Sequence, residues 1–238
     1  MSFGELWWQG YLFTLFYDTD GGGFPVWQIG LGIGGGILLF GILIPYLLGS
    51  INSAVVFSRL LYHDDIRNHG SGNAGTTNML RTYGKGAAGL TLLGDVLKTA
   101  VAVMIASLMT AAPMGGWVAA FFCMVGHIFP IYYHFKGGKG VLCAATAVAM
   151  LSPFAFGCAF LTFLIMVSMS RYVSLGSIVS ALMLPLYVNA ENLLFERGGL
   201  NGLMAVFMAL LIVWCHRANI KRIQNRTESK LSFKKKDK

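Results

Sequence analysis

The sequence predicts an all-α, polytopic integral membrane protein, and three observations carry that reading. The 238-residue chain is 55% apolar and only 12% charged, with a mean hydropathy of +0.64, far from the balance of a soluble domain. Its apolar residues lie in long blocks, and residues 29–48 contain no charge at all; a helical span needs about 20 such residues. Its basic residues are unevenly distributed between those blocks, which fixes an orientation.

After 29–48, further apolar blocks cover about 87–111, 116–133, 140–169, 173–189 and 200–215. Six spans would place the loop 59–85 and the basic tail on opposite faces, so the number must be odd. Ser152-Pro153 interrupts the longest block. Proline removes a backbone donor and biases the preceding residue away from helix, which divides the block into two short helices, 140–151 and 153–169. Seven transmembrane helices result, two of them short, with the N-terminus outside and the C-terminus cytoplasmic. Sixteen of the eighteen Lys/Arg then lie inside, the exceptions being Lys98 and Arg197. The expected organisation is an N-terminal extension, 1–28, with an aromatic interfacial anchor around Trp7-Trp8; a membrane domain, 29–222; and a basic cytoplasmic tail, 223–238. The charge run from Arg217 onward reads as a solvated segment near anionic lipid headgroups, since no motif supports nucleic acid as a partner. No signal-peptide pattern is present. The four cysteines all fall in apolar blocks without metal-ligand spacing and read as small core residues.

Several polar clusters sit between the blocks. Residues 135–141, Phe-Lys-Gly-Gly-Lys-Gly-Val, place Lys136 and Lys139 around Gly137 and Gly138 at the end of a span. Glycine lets backbone N–H groups approach a ligand and lysine adds a point charge, so the loop is either a phosphate site or a simple topological anchor. Segment 65–82 is dense in glycine and side-chain donors, including Ser71, Asn73 and Asn78, with Arg67 and Arg81 as charge partners for an anion. Asp95 and Lys98 are three residues apart, on one helix face, and an ion pair there limits the cost of burying each charge. His127 is a general base or a hydrogen-bonded core residue. The cluster from His216 to Arg222 has an unexpected member in Asn219, and Arg171 and Ser174 share its predicted face.

Two formal motifs are rejected. Gly30, Gly32 and Gly35 match a dinucleotide fingerprint but follow no strand, and small-residue helix packing explains them better. Lys139 precedes Gly140 rather than Ser or Thr, so the loop is not an NTPase P-loop. The acids form no cluster of the kind that would hold Mg²⁺, so no metal and no cofactor is expected.

Taken together, Gly49-Ser50-Ile51, the stretch Asp65 to Asn78, Gly94-Asp95 with Lys98, Gly126-His127 with Pro130, Phe135 to Val141, Arg171 to Ser177, and His216-Arg217 with Asn219-Ile220 resemble one family. It is the acyl-phosphate-dependent glycerol-3-phosphate acyltransferases of bacterial inner membranes, matched over about 45–222. The resemblance implies a seven-helix enzyme that moves an acyl chain from acyl phosphate to the 1-hydroxyl of glycerol 3-phosphate, giving lysophosphatidate and phosphate, the first acylation of phospholipid synthesis. It implies an active site facing the cytoplasm, membrane lipids as surroundings and functional coupling to the enzyme that makes acyl phosphate. By position it implies catalytic roles for Ser71, Arg81, Lys139, His216 and Asn219, with substrate binding by Asn73, Asn78, Lys136, Gly137, Gly138, Ser174 and His127. The chain departs from the family at Thr76, where alanine is common, and at Ala218, where glutamate is common; neither change removes a charge partner. The alternative is a membrane transporter of an anionic, phosphorylated solute, which would show pseudo-symmetric halves that this sequence lacks.

Overall fold

The computed structural model describes residues 34–110, 114–195, 199 and 201–231. The expectations for Trp7-Trp8, Gly30 and Gly32 lie outside the described residues. Among the described residues the regular structure is entirely helical, and the chain forms two compact units, Met1–Leu151 and Ser152–Lys238.

Among the described residues of the first unit, a helical turn at 34–36 leads into a π-helical stretch, Ile37–Leu43, that runs into α1 (Ile44–Ser50). The wide turns lie just before Pro45, which has no N–H to continue a regular ladder. The chain breaks at Ile51 and resumes as α2 (Ser53–Tyr62), whose N-cap Asn52 accepts the Val55 N–H at 3.2 Å. After a polar loop come α3 (Thr76–Tyr83) and, past Gly84 at φ +89°, α4 (Lys85–Met109). Then follow α5 (Gly115–Ile128) and α6 (Val141–Leu151). Helices α1 and α5 meet backbone to backbone. A Cβ on Gly49 would run into the Cys123 carbonyl, and one on Gly126 into the Tyr46 carbonyl. Small residues at such crossings allow the close approach on which helix association in lipid depends.

The second unit contains α7 (Pro153–Ser170), α8 (Val173–Leu194), α9 (Asn201–Cys215) and α10 (Arg217–Gln224). The long apolar block therefore breaks at Ser152, with Pro153 in the first turn of α7, where a missing N–H costs nothing. The buried Glu191 of α8 covers that helix start, accepting from the Ser152 hydroxyl and, at 3.0 Å, from the Ala155 N–H. Unlike the solvated segment expected from Arg217 onward, the chain continues as α10 after a 54° bend. Its Ile220 is half-buried and its Asn219 fully so, so the helix has an inward side that a count of charges conceals.

Gly34–Tyr62, Lys85–Met109, Gly115–Tyr133, Pro153–Ser170 and Val173–Leu194 are long and apolar enough to cross a bilayer; α9 and α10 pass the same test only as a bent pair, and α6 is shorter. The surface supports the same conclusion. On α7, Phe154, Phe160, Leu161, Leu164, Ile165 and Met169 are exposed, Met169 by 78%, an apolar exterior that only lipid tolerates on this scale.

Candidate active site

In the first unit two loops carry the residues that the sequence singles out for an anion. The 65–75 loop is organised by Asn78, which is 2% exposed. Its Nδ2 donates to the carbonyls of Ile66 (3.2 Å) and His69 (2.9 Å), and its Oδ1 accepts the Ser71 N–H at 3.1 Å. Asn78 thus shapes the backbone on which the exposed Ser71 sits. Gly70 and Gly72 take positive φ of 57° and 70°, and a Cβ on Gly70 would strike the Asn78 amide. The loop's entry is fixed by Asp64, which accepts from Tyr83 Oη at 2.7 Å and lies 2.6 Å from His69 Nε2. Burial and the Asp64 carboxylate push the Tyr83 phenol up to about 12.

Arg67, considered as a charge partner for an anion, is instead committed to the fold. Its guanidinium pairs with Asp65 at 2.7 Å and donates to the Tyr133 (3.0 Å) and Lys136 (3.3 Å) carbonyls, binding one loop to the other. The Arg67 fork beside Asp65 holds that carboxyl far below the usual range. Arg81 is exposed on α3 and Asn73 half-buried in the loop.

The second loop, 134–140, leaves α5 through a 3₁₀ turn, Ile131–Tyr133. The Gly137 N–H donates to the Ile128 carbonyl (3.1 Å) and the Gly138 N–H to the His127 carbonyl (3.0 Å). No side chain fits at either glycine. A Cβ on Gly137 would meet the His127 carbonyl, and one on Gly138 would meet His127 Nε2 and the Ala74 carbonyl. Lys136 is exposed and Lys139 half-buried. The Ala74 carbonyl is itself held by Asn52 Nδ2 at 3.3 Å, a residue with no mark in the sequence to single it out.

Behind this loop lies a buried charge cluster. Asp95 and Lys98 form the expected pair at 2.8 Å. Lys98 Nζ also donates to the Ile51 carbonyl at 2.8 Å, which the break between α1 and α2 leaves without a helical partner, and lies 3.0 Å from His127 Nδ1. The Cys143 thiol is against the same ring. A charge at the bilayer centre costs about 2.5–3.5 kcal/mol, so three partners on one ammonium are what its burial demands.

In the second unit two of the predicted site residues, Ser174 and Asn219, gather on a group that sequence reasoning missed. Glu228 Oε1 accepts from Ser174 Oγ (2.8 Å) and Asn219 Nδ2 (2.7 Å), and its Oε2 from Arg222 Nε (2.7 Å). Burial raises the Glu228 carboxyl, but these three donors outweigh it and set it below its ordinary 4.5. The segment is drawn back further by the Leu231 N–H, which donates to the Arg171 carbonyl at 2.7 Å. His216 is buried where α9 meets α10, and its Nδ1 lies 2.8 Å from the Ile212 carbonyl. A carbonyl only accepts, so Nδ1 carries a proton.

Because the native Glu228 is more acidic than the unfolded one, its contribution is complete above pH 4.5 and is lost as pH falls through the native value. Glu228→Gln is expected to lower stability at pH 7 by about 1–2 kcal/mol and to flatten the acid limb of thermal unfolding followed in detergent. Coincident wild-type and variant curves would reject the assignment.

These features define a multi-pass helical membrane protein carrying amide, hydroxyl and cationic groups suited to phosphate. The profile of the family described as glycerol-3-phosphate acyltransferase matches residues 39–226. The glycerol-3-phosphate acyltransferase of Syntrophomonas wolfei is 41% identical over 189 residues, covering 79% of this chain and 94% of that protein. The enzyme of Syntrophotalea carbinolica is 43% identical over 194 residues, covering 79% and 95%. The crystal structure of PlsY, an integral membrane glycerol 3-phosphate acyltransferase, in its glycerol 3-phosphate form superposes with a TM-score of 0.72 at 35% identity, covering 82% of this chain and 95% of that one. Its lysophosphatidic acid form gives 0.69 at 33% identity. The chain belongs to the glycerol-3-phosphate acyltransferase family and is a multi-pass membrane acyltransferase.

Proposed function

We propose that this enzyme takes its acyl group from acyl phosphate and delivers it to the 1-hydroxyl of glycerol 3-phosphate. The C1 oxygen attacks the acyl carbonyl, the bond from that carbon to the phosphate oxygen breaks, and lysophosphatidate and inorganic phosphate leave. The observation that carries this reading is the glycine–lysine loop at 136–140, whose backbone is fixed and whose Lys139 follows two glycines that admit no side chain. As the family resemblance implies, Ser71, Arg81, Lys139, Ser174, His216 and Asn219 serve the phosphates and the charge that grows on the acyl oxygen. Asn73, Lys136, Gly137 and Gly138 assist in binding. Asn78 and His127 act from behind, on the backbone that presents those groups. The donor is amphiphilic, which suits a bilayer enzyme supplied by the enzyme that makes acyl phosphate.

The hydroxyl proton passes to the phosphate of bound glycerol 3-phosphate, whose second pKa lies near 6. His216→Ala is then expected to retain measurable turnover at saturating substrate. Loss of the chemical step with folding and binding intact would transfer that role to the imidazole.

The topology that fits this chemistry has seven spans, the N-terminus outside, the C-terminus inside and the active site facing the cytoplasm from the bacterial inner membrane. Residues 1–28 form an outer extension, 29–222 the catalytic membrane domain and 223–238 a basic tail. The deciding experiment incubates purified enzyme with acyl phosphate and labelled glycerol 3-phosphate. Lysophosphatidate is expected from acyl phosphate; product from another acyl donor and none from this one would overturn the donor assignment.

A further inference from the structure

The buried cluster behind the glycine–lysine loop has more connections than an ion pair requires. Lys98 Nζ is within 3.0 Å of three groups, Asp95 Oδ1, the Ile51 carbonyl and His127 Nδ1. An ammonium has three protons and no lone pair, so at that distance Nδ1 must accept and the imidazole proton must be on Nε2. Asp95 supplies the counter-charge to that ammonium. Lys98 therefore fixes both the tautomer and the plane of His127.

The other edge of the ring faces the loop. Gly138 lies directly against His127 Nε2 and Cδ2 and against the Ala74 carbonyl, with no room for a Cβ. The main chain of the same histidine accepts the Gly138 N–H at 3.0 Å. One residue thus supports Gly138 by its ring and its carbonyl, at the point where the two site loops approach each other.

We propose that Asp95 and Lys98 are positioning residues, which act on the phosphate loop through a His127 locked as its Nε2–H tautomer. His127 is then a strut for the loop and not a base. The inference rests on the reading that loop 136–140 binds a substrate phosphate, and it assigns a task in substrate binding to charges that would otherwise serve stability alone.

Two measurements test it. In the wild-type enzyme labelled with 15N-histidine, His127 being assigned by its loss in His127→Gln, Nδ1 is expected unprotonated and Nε2 protonated; a proton on Nδ1 overturns the proposal. The double variant Asp95→Asn/Lys98→Met keeps the cluster neutral and of similar size but removes the ammonium. It is expected to raise KM for at least one of the two phosphate substrates about tenfold to a hundredfold, with a smaller change in kcat. Unchanged KM values for both overturn the proposal. Should that variant not fold, His127→Gln, which keeps an N–H donor, is expected to bind substrate better than His127→Ala, and equal KM values in the two overturn it. Lys139→Ala is measured in parallel. If it behaves as wild type, the phosphate-loop reading fails and the positioning role falls with it; if it is impaired while the double variant is not, the positioning role alone fails.

Discussion

Lys139→Ala is expected to form lysophosphatidate at about one hundredth of the wild-type rate or less, from protein that remains folded in detergent. The expectation follows from where the charge sits. Lys139 leaves a backbone whose N–H groups at Gly137 and Gly138 are tied to the Ile128 and His127 carbonyls, so its stem departs from a fixed point. A charge held in place before the reaction stabilises a transition state without reorganisation, whereas a mobile one loses much of that advantage. Lys136 provides the contrast. It is exposed, and its carbonyl, held by Arg67, contributes to the shape of the loop. Lys136→Ala is therefore expected to cost less than Lys139→Ala in kcat/KM. Near-wild-type turnover by Lys139→Ala would remove the loop from the active site.

The second large effect is on stability. Asp95→Ala leaves the Lys98 ammonium in a buried site with a carbonyl and an imidazole but no counter-charge. Breaking a buried pair on one side typically costs about 3–5 kcal/mol, a large part of the stability of a domain. Sharply reduced yield and an early melting transition are expected in detergent. Asp95→Asn/Lys98→Met, which removes both charges, is expected to melt closer to the wild type. A single variant as stable as the double one would show that the pair is not buried in the protein as it stands in lipid.

What the sequence reveals depends on how far apart the interacting groups lie along the chain. The break at Ser152-Pro153 and the Asp95–Lys98 pair are legible because proline geometry and i,i+3 spacing are local rules. The attachment of His127 to that pair is not, since it requires α5 to lie beside α4. Asn78 reads as one more donor in a polar segment, yet its amide is turned inward to three backbone groups. Arg67 reads as a free cation for the same reason, although Asp65 stands two residues away. Glu228 is the most thoroughly concealed: an acid among lysines and arginines looks like a solvated charge, and only the folded chain brings Ser174, from 54 residues earlier, onto its carboxylate. Motif order, by contrast, identifies the family, because glycines and small donors in fixed succession survive as strings in one dimension.

The placement of Glu228 also sets a timetable for making the enzyme. The carboxylate that gathers Ser174, Asn219 and Arg222 is added to the growing chain 54 residues after Ser174. Until then Ser174 stands without its organiser. A nascent chain can insert α8 while this cluster is still unassembled. A chain stopped short of Glu228 is expected to insert and to acylate poorly, so a single acid makes the activity of the enzyme a report on whether translation passed that point.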